Sequence, residues 1–576
     1  VSSIRDRLLD TIRFDKNKNI FLLICVIGVC LAIALEIINA QNRRHVHKEQ
    51  TSTRRTYWVY SAYNDVDNAN GLLKHVHLVL DRVGYEKVTN KEPWNLLWSH
   101  DYPFRVLYTD LQRLGPNQKV NHFPGTGFIT NKVDLATTDS KYIPKAFKIP
   151  QNKEAFLKYA AVNKDALFLE KHNQHRGVYL KNVTNIDLTS GESFVQEYVQ
   201  KPYLVDGHKF DIGVYVVLTS VNPLRAYWYK GDVLFRYCPA KYYPFDPNVV
   251  DKYVVGDDYL PTWEVPSLAH PYTALGFSMK EAFDHYVTSK GGDVTRMWEE
   301  VEAAITEVLL KKEHHVIQAL KKYPSPDHFF EMMRFDLVVD ENLKVYLLEA
   351  NMSPNLSSAH YPPNQLLYEQ VLYSLYSITG VASHIADLTY TCKVLNNKID
   401  SPELLNRFNI NIPRRNARHF MPLYVPPCNT YYRRNSFILR SSIHLNKFLI
   451  AHPQDMFSLK PNKIRKIMTD TATQNMVASQ KNIAVWSEIC STTCRDNCEE
   501  SLICGLCKPC MTSSLKSSLL GAHKEYLHRG DFRRLFPPKM VQNASTDEKI
   551  KGLNKINQLL YVWYQGKCNA DLTWCS

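Results

Sequence analysis

The first patterned stretch of the chain is an unbroken apolar run from Ile20 to Leu35, interrupted by Glu36 and resumed by Ile37 and Ile38. It follows a basic segment, residues 1–19, that carries Arg5, Arg7, Arg13, Lys16 and Lys18. Crossing a bilayer takes roughly 20 apolar residues, so residues 20–38 read as a short single transmembrane anchor. A cleaved signal peptide with Ala40 at the cut is the competing reading. A polar stalk over 39–56 follows, with Arg43, Arg44, Lys48, Arg54 and Arg55. Basic residues thus flank the run on both sides, and the charge rule for membrane topology leaves the orientation open.

At Tyr57 the pattern changes. As far as about Asp387, strand-like stretches of period two alternate with helix-like stretches of period 3.6, which predicts an α+β core over 57–387. Val301, Ala304, Ile305, Val308 and Leu309 fall at helical spacing and predict one buried helix face. Beyond the core, residues 388–489 form an extension with a basic helical stretch near Lys460–Met468. Residues 490–576 form a cysteine-rich tail. Within that tail Ser545 and Glu548 have capping-box spacing, predicting an amphipathic helix that carries Ile550, Leu553, Ile556 and Leu559.

Composition narrows the function classes. A hydrophobic share of 45% with 22% charged residues is that of a folded protein rather than a disordered one. The formal net charge of +13 favours an acidic partner. There is no arginine-rich recognition helix, finger-like zinc spacing or RNA-binding aromatic signature, so nucleic acid is not the expected partner. The tail cysteines are Cys490, Cys494, Cys498, Cys504, Cys507, Cys510, Cys568 and Cys575. Their even number fits disulfides in an oxidising lumen, while Cys504-x-x-Cys507-x-x-Cys510 fits zinc. Glycosylation sequons occur at Asn182, Asn355 and Asn543.

The clearest chemical signal is the stretch from Phe335 to Pro354. Two apolar runs flank the polar turn Asp340–Asn342, which predicts a β-hairpin. Side chains alternate along a strand, so Glu349 and Asn351 point the same way and Asp336 folds back beside them. Two carboxylates and an amide oxygen at a sheet edge suit Mg²⁺. A second signal is Gly207–Leu218, in which Lys209, Asp211 and Gly213 share one face of a strand and Phe210, Ile212 and Val214 the other. A buried cation and carboxylate two residues apart need partners, which a phosphate and a ribose or substrate group would supply. Upstream, Phe194–Val199 reads as a short strand, and Lys171 ends another before a polar loop, His172–Arg176.

In this order and spacing, Gln196–Tyr198, Lys209–Asp211 and Asp336…Glu349-x-Asn351-x-Ser353-Pro354 resemble the tubulin–tyrosine ligase-like family over roughly 57–387. The resemblance implies an ATP-grasp fold, in which two α+β lobes clamp ATP and Mg²⁺. It implies that Lys171 and Lys209 contact phosphates and that Gln196, Glu197, Tyr198 and Val199 line the adenine pocket. Asp336, Glu349 and Asn351 would hold the metal, with Lys209, Asp211, Arg236 and Glu349 carrying the chemistry. The implied reaction is ATP-dependent ligation of an amino acid, glutamate, to a carboxylate of a tubulin tail through an acyl phosphate. Two departures stand out. Family members carry arginine where this chain has Gly213, with Arg236 resembling a second family arginine, and the loop after Lys171 is short and lacks its first glycine. Two alternatives stay open: a non-catalytic pseudoligase acting as a scaffold, and a lumenal ligase with a non-tubulin acceptor. The core faces the cytosol if tubulin is the substrate.

Overall fold

The computed structural model describes residues 55–62, 71–172, 179–382 except 190 and 192, 384–396, 421–427, 436–452 and 483–576 except 495 and 496, with isolated residues between 408 and 467. The expected anchor at 20–38, the loop 173–178 and most of the basic stretch at 460–468 lie outside these residues. Among the described residues, no helix is long and apolar enough to cross a membrane.

Residues Tyr57–Ser576 pack as one compact unit. Its strands, in chain order, are β1 (Arg55–Tyr60), β2 (Tyr85–Val88), β3 (Leu96–Ser99), β4 (Lys119–Val120), β5 (Ala146–Ile149), β6 (Phe168–His172), β7 (Tyr179–Lys181) and β8 (Ser193–Glu197). They continue as β9 (Phe210–Val221), β10 (Leu224–Tyr229), β11 (Leu234–Tyr237), β12 (Leu260–Pro261), β13 (Glu331–Val339), β14 (Val345–Asn351) and β15 (Phe532–Phe536). Among the described residues they form three sheets: β2-β1-β3-β4, β5-β8-β6-β7, and a seven-stranded sheet of order β12-β11-β9-β10-β15 in which β13 joins β9 to β14. This mixed architecture fits the expected ATP-grasp class.

The large sheet is organised around β9. One edge of β9 pairs antiparallel with β13, and the other with β11 and β10. From Phe210 to Leu218 the strand is buried throughout. Its polar residues therefore face the inside of the protein and not bulk water. The hairpin predicted at 335–351 is present as β13–β14, with Asp336 opposite Glu349 and Arg334 opposite Asn351. Asp340 closes its turn by accepting from the backbone N–H groups of Asn342 and Lys344, and Leu343 adopts φ 64°. The long helix α1 (Val294–Leu320) buries Val301, Ala304, Ile305, Val308 and Leu309 as the spacing predicts, and the Asp293 side chain caps its N-terminus.

The tail is built into this core. Helices α2 (Ser513–His528) and α3 (Lys555–Ala570) flank β15, which pairs with β10. Phe532, Leu535 and Phe536 are buried in the same hydrophobic core as β9. All eight tail cysteines form disulfides: Cys490–Cys507, Cys494–Cys504, Cys498–Cys510 and Cys568–Cys575. The helix expected from Ser545 differs. A single turn, Asp547–Ile550, ends before Gly552, whose φ of 85° no continuing helix can hold, and α3 starts afresh with the Asn554 side chain accepting from the Asn557 N–H.

Candidate functional site

The site is a cavity of about 370 Å³ whose walls come from both the small antiparallel sheet and the large one. Every residue to which the family resemblance assigns a site role lines it: Lys171, Gln196, Glu197, Tyr198, Val199, Lys209, Asp211, Arg236, Asp336, Glu349 and Asn351. Their convergence follows from register. β6 and β8 pair so that Leu169 opposes Gln196 and Lys171 opposes Phe194. β9 places Asp211 opposite Arg236 on β11 and Gly213 opposite Asp336 on β13.

Two lysines sit here with neutral partners. Lys171 Nζ donates to the Gln196 side-chain oxygen at 2.8 Å, and Lys209 Nζ donates to the Tyr253 carbonyl at 2.9 Å. Burial pulls the Lys171 ammonium down to about 8, only partly offset by the Glu349 carboxylate. A buried cation held only by neutral acceptors is an unfavourable arrangement that an anionic ligand relieves.

The carboxylates, by contrast, are well supplied with cations. Arg236 donates from Nε and Nη2 to the two oxygens of Asp211, at 2.9 and 2.7 Å, and from Nη2 to Asp336 at 3.2 Å. Arg334 forks onto Asp336 at 2.7 and 2.8 Å, and the Asn351 amide adds a donor at 2.9 Å. Burial raises the Asp211 pKa, with the neighbouring Asp336 adding to the rise against Arg236. Burial acts on Asp336 in the same sense, but Arg334 and Arg236 outweigh it and hold that carboxyl below the usual range. Glu349 pairs with Lys132 at 3.2 Å, and Glu197 accepts from the Tyr159 hydroxyl at 2.8 Å.

Sequence reasoning missed several wall residues. Lys132 opens a short helix capped by Asn131 and reaches Glu349 from far away in sequence. Arg334 was legible, since it lies two residues before Asp336 on the same strand and therefore on the same face. The loop Tyr253–Val255 and Asp257 supply the remaining edge, and no local pattern announces them. A second cavity, of about 520 Å³, shares Arg236, Asp257 and Arg334 with the first and extends toward Tyr259, Asn355, His360 and Tyr361.

The chain is similar to other proteins over the region that builds this site. A profile described as "Tubulin-tyrosine ligase family" matches residues 110–386. A protein of Caenorhabditis elegans named "Probable tubulin polyglutamylase ttll-15" is 34% identical over 519 residues, covering 88% of this chain and 84% of the relative. "Tubulin polyglutamylase TTLL7" of Mus musculus is 28% identical over 49% of this chain, and "Tubulin monoglutamylase TTLL4" of Homo sapiens is 26% identical over 53%. Those matches span only 34% and 26% of the two longer proteins. Taken with the geometry of the cavity, these similarities mean that the chain belongs to the tubulin-tyrosine ligase family.

Proposed function

We propose that the protein is an ATP- and Mg²⁺-dependent ligase that joins glutamate to carboxylates of an acidic protein acceptor, the tubulin tail. The observation that carries this reading is a pair of lysines, half-buried Lys171 and buried Lys209, each held by one neutral oxygen and both facing a cavity lined with carboxylates. The donor set fits a nucleotide and its metal. The two lysines would neutralise phosphate oxygens, Gln196–Val199 would border the base, and Asp336, Glu349 and Asn351 would supply hard oxygen ligands. Bound Mg²⁺–ATP would supply the γ-phosphoryl group that activates the acceptor carboxylate as an acyl phosphate, leaving ADP, and the amine of glutamate would displace inorganic phosphate to form the amide. The chain's own residues act by position and charge. Lys209 and Lys171 offset negative charge, and Arg236 holds Asp211 in a fixed orientation through two hydrogen bonds. Relatives named as tubulin polyglutamylases support the acceptor, and the net charge of +13 suits an acidic tail.

A second reading is favoured by the four tail disulfides, which belong to oxidising compartments. In it the same ligase core acts in a lumen on a different acidic acceptor. Protease protection in intact microsomes separates the two readings. Thermal stabilisation by Mg²⁺–ATP tests the nucleotide site itself: the wild-type protein is expected to gain several degrees and Glu349→Ala to gain none. Absence of any response in the wild type would favour the scaffold alternative.

A further inference from the structure

Gly213 lies in the stretch Phe210–Leu218 of β9 that is buried throughout, where a glycine weakens the strand and contributes no packing. Its φ is not positive, so backbone conformation does not demand it. Space does. A Cβ at position 213 would lie 2.9 Å from Cδ and 3.3 Å from Nε of Arg334, and 3.3 Å from Cβ of Leu234. The volume that a side chain at 213 would occupy is already filled by the stem of an arginine arriving from the adjacent strand.

The head of that arginine is held in a defined way. Arg334 is only 8% exposed, and its Nε and Nη2 are both taken by Asp336. Arg236 is bound through the same Nε–Nη2 edge, by Asp211 and Asp336. In both guanidinium groups Nη1 has no acceptor among the described residues. Both arginines line the first and the second cavity, at the point where the two meet. Carboxylates at their backs fix the two groups side by side, leaving paired N–H donors for an anion between the cavities.

We propose that Arg334 binds the carboxylate of the amino-acid co-substrate together with Arg236, and that it stands in, from the neighbouring strand, for the arginine that the family resemblance expects at position 213. The identity of the ligand rests on the ligase reading above, whereas the exchange of position between 213 and 334 rests on the packing alone. Gly213, one of the two departures from the family pattern, is then the other half of a relocated arginine.

The test is a set of variants of the full chain: Arg334→Gly, Arg334→Lys, Gly213→Arg, and the double variant Gly213→Arg/Arg334→Gly. Kinetics are measured with L-glutamate varied at saturating Mg²⁺–ATP, and with ATP varied at saturating L-glutamate. Losing a hydrogen bond between charged groups typically weakens binding about 10- to 100-fold. Arg334→Gly is expected to raise the KM for glutamate by at least about tenfold with the KM for ATP within about twofold, and Arg334→Lys to fall between it and the wild type. Gly213→Arg alone is expected to lose activity because two arginine stems compete for one space. The double variant is expected to return the glutamate KM to within about threefold of the wild type. An unchanged glutamate KM in Arg334→Gly, a parallel rise in both KM values, or a double variant no better than Arg334→Gly overturns the proposal. If Arg334→Gly fails to fold, the double variant must fold and bind glutamate, and failure to do so counts against the proposal. If the wild type turns over no amino acid, thermal stabilisation by L-glutamate in the presence of Mg²⁺–ADP is read instead. Its loss in Arg334→Gly, with stabilisation by Mg²⁺–ADP retained, supports the proposal while the ligase reading fails. No stabilisation of the wild type by L-glutamate overturns the proposal.

Discussion

Removing Glu525 should loosen the tail from the core by an amount set by the charge it leaves behind. Glu525 lies on α2 and Arg225 on β10, 300 residues apart, with side chains 8% and 7% exposed. Arg225 Nε donates to both carboxylate oxygens at 3.1 and 2.9 Å, and the Tyr227 hydroxyl donates to one of them at 2.8 Å. In Glu525→Leu the guanidinium stays buried with the Ser518 carbonyl, at 3.3 Å, as its one acceptor among the described residues. Breaking a buried pair in this way costs about 3–5 kcal/mol. Unfolding a unit of about 500 residues carries an entropy of about 1 kcal/mol/K, so the midpoint should fall by about 3–5 °C. Arg225→Met/Glu525→Leu removes both charges and should recover most or all of that loss, because apolar replacements of buried ion pairs are often neutral or stabilising. Differential scanning calorimetry of the three proteins reads the effect. A drop below about 1 °C in the single variant, or a double variant as unstable as the single, would refute the reasoning.

Three further outcomes are expected. Lys171→Met and Lys209→Met should each weaken Mg²⁺–ATP binding about 10- to 100-fold by calorimetric titration. For Lys171 the wild-type affinity should decline as pH rises through about 8, where the free protein's ammonium loses its proton, and Lys171→Met should show no such slope. Burial pushes the Asp232 carboxyl up to about 7 despite backbone N–H donors from Lys280, Val233 and Met279. The folded state therefore keeps a proton that the unfolded chain releases near pH 4. Stability should fall by about 4 kcal/mol between pH 4 and 7, and Asp232→Asn should remove that slope in urea unfolding. After denaturation without reductant, a thiol reagent should label Cys238 and Cys392 and none of the eight tail cysteines; labelled tail thiols in mass spectrometry would contradict the disulfide pattern.

Much of the cavity was legible because its residues sit on strands, where a period of two fixes which side chains share a face. Asp336, Glu349 and Asn351 on the hairpin and Lys209 and Asp211 on β9 could be grouped from alternation, and the apolar spacing of Val301 to Leu309 gave the helix behind them. Arg334 obeys the same alternation as Asp336, yet its meaning depends on Gly213, across the sheet, which a one-dimensional pattern does not bring next to it. Lys132 and the Tyr253–Asp257 loop reach the cavity only through tertiary packing. The tail shows the opposite failure. The Ser545–Glu548 spacing is a genuine capping signature, but the left-handed conformation at Gly552 ends the turn and transfers capping to Asn554. The Arg225–Glu525 pair joins segments whose local patterns contain no sign of one another.

The proposed activity is amide ligation driven by ATP. The most direct measurement is transfer of radiolabelled L-glutamate to purified tubulin by the full-length protein in the presence of Mg²⁺–ATP, with Glu349→Gln as control. Label is expected on the acceptor that requires ATP, resists denaturation as an amide bond should, and falls at least about a hundredfold in Glu349→Gln. A protein that binds Mg²⁺–ATP yet transfers no amino acid to tubulin or to acidic peptides would contradict it.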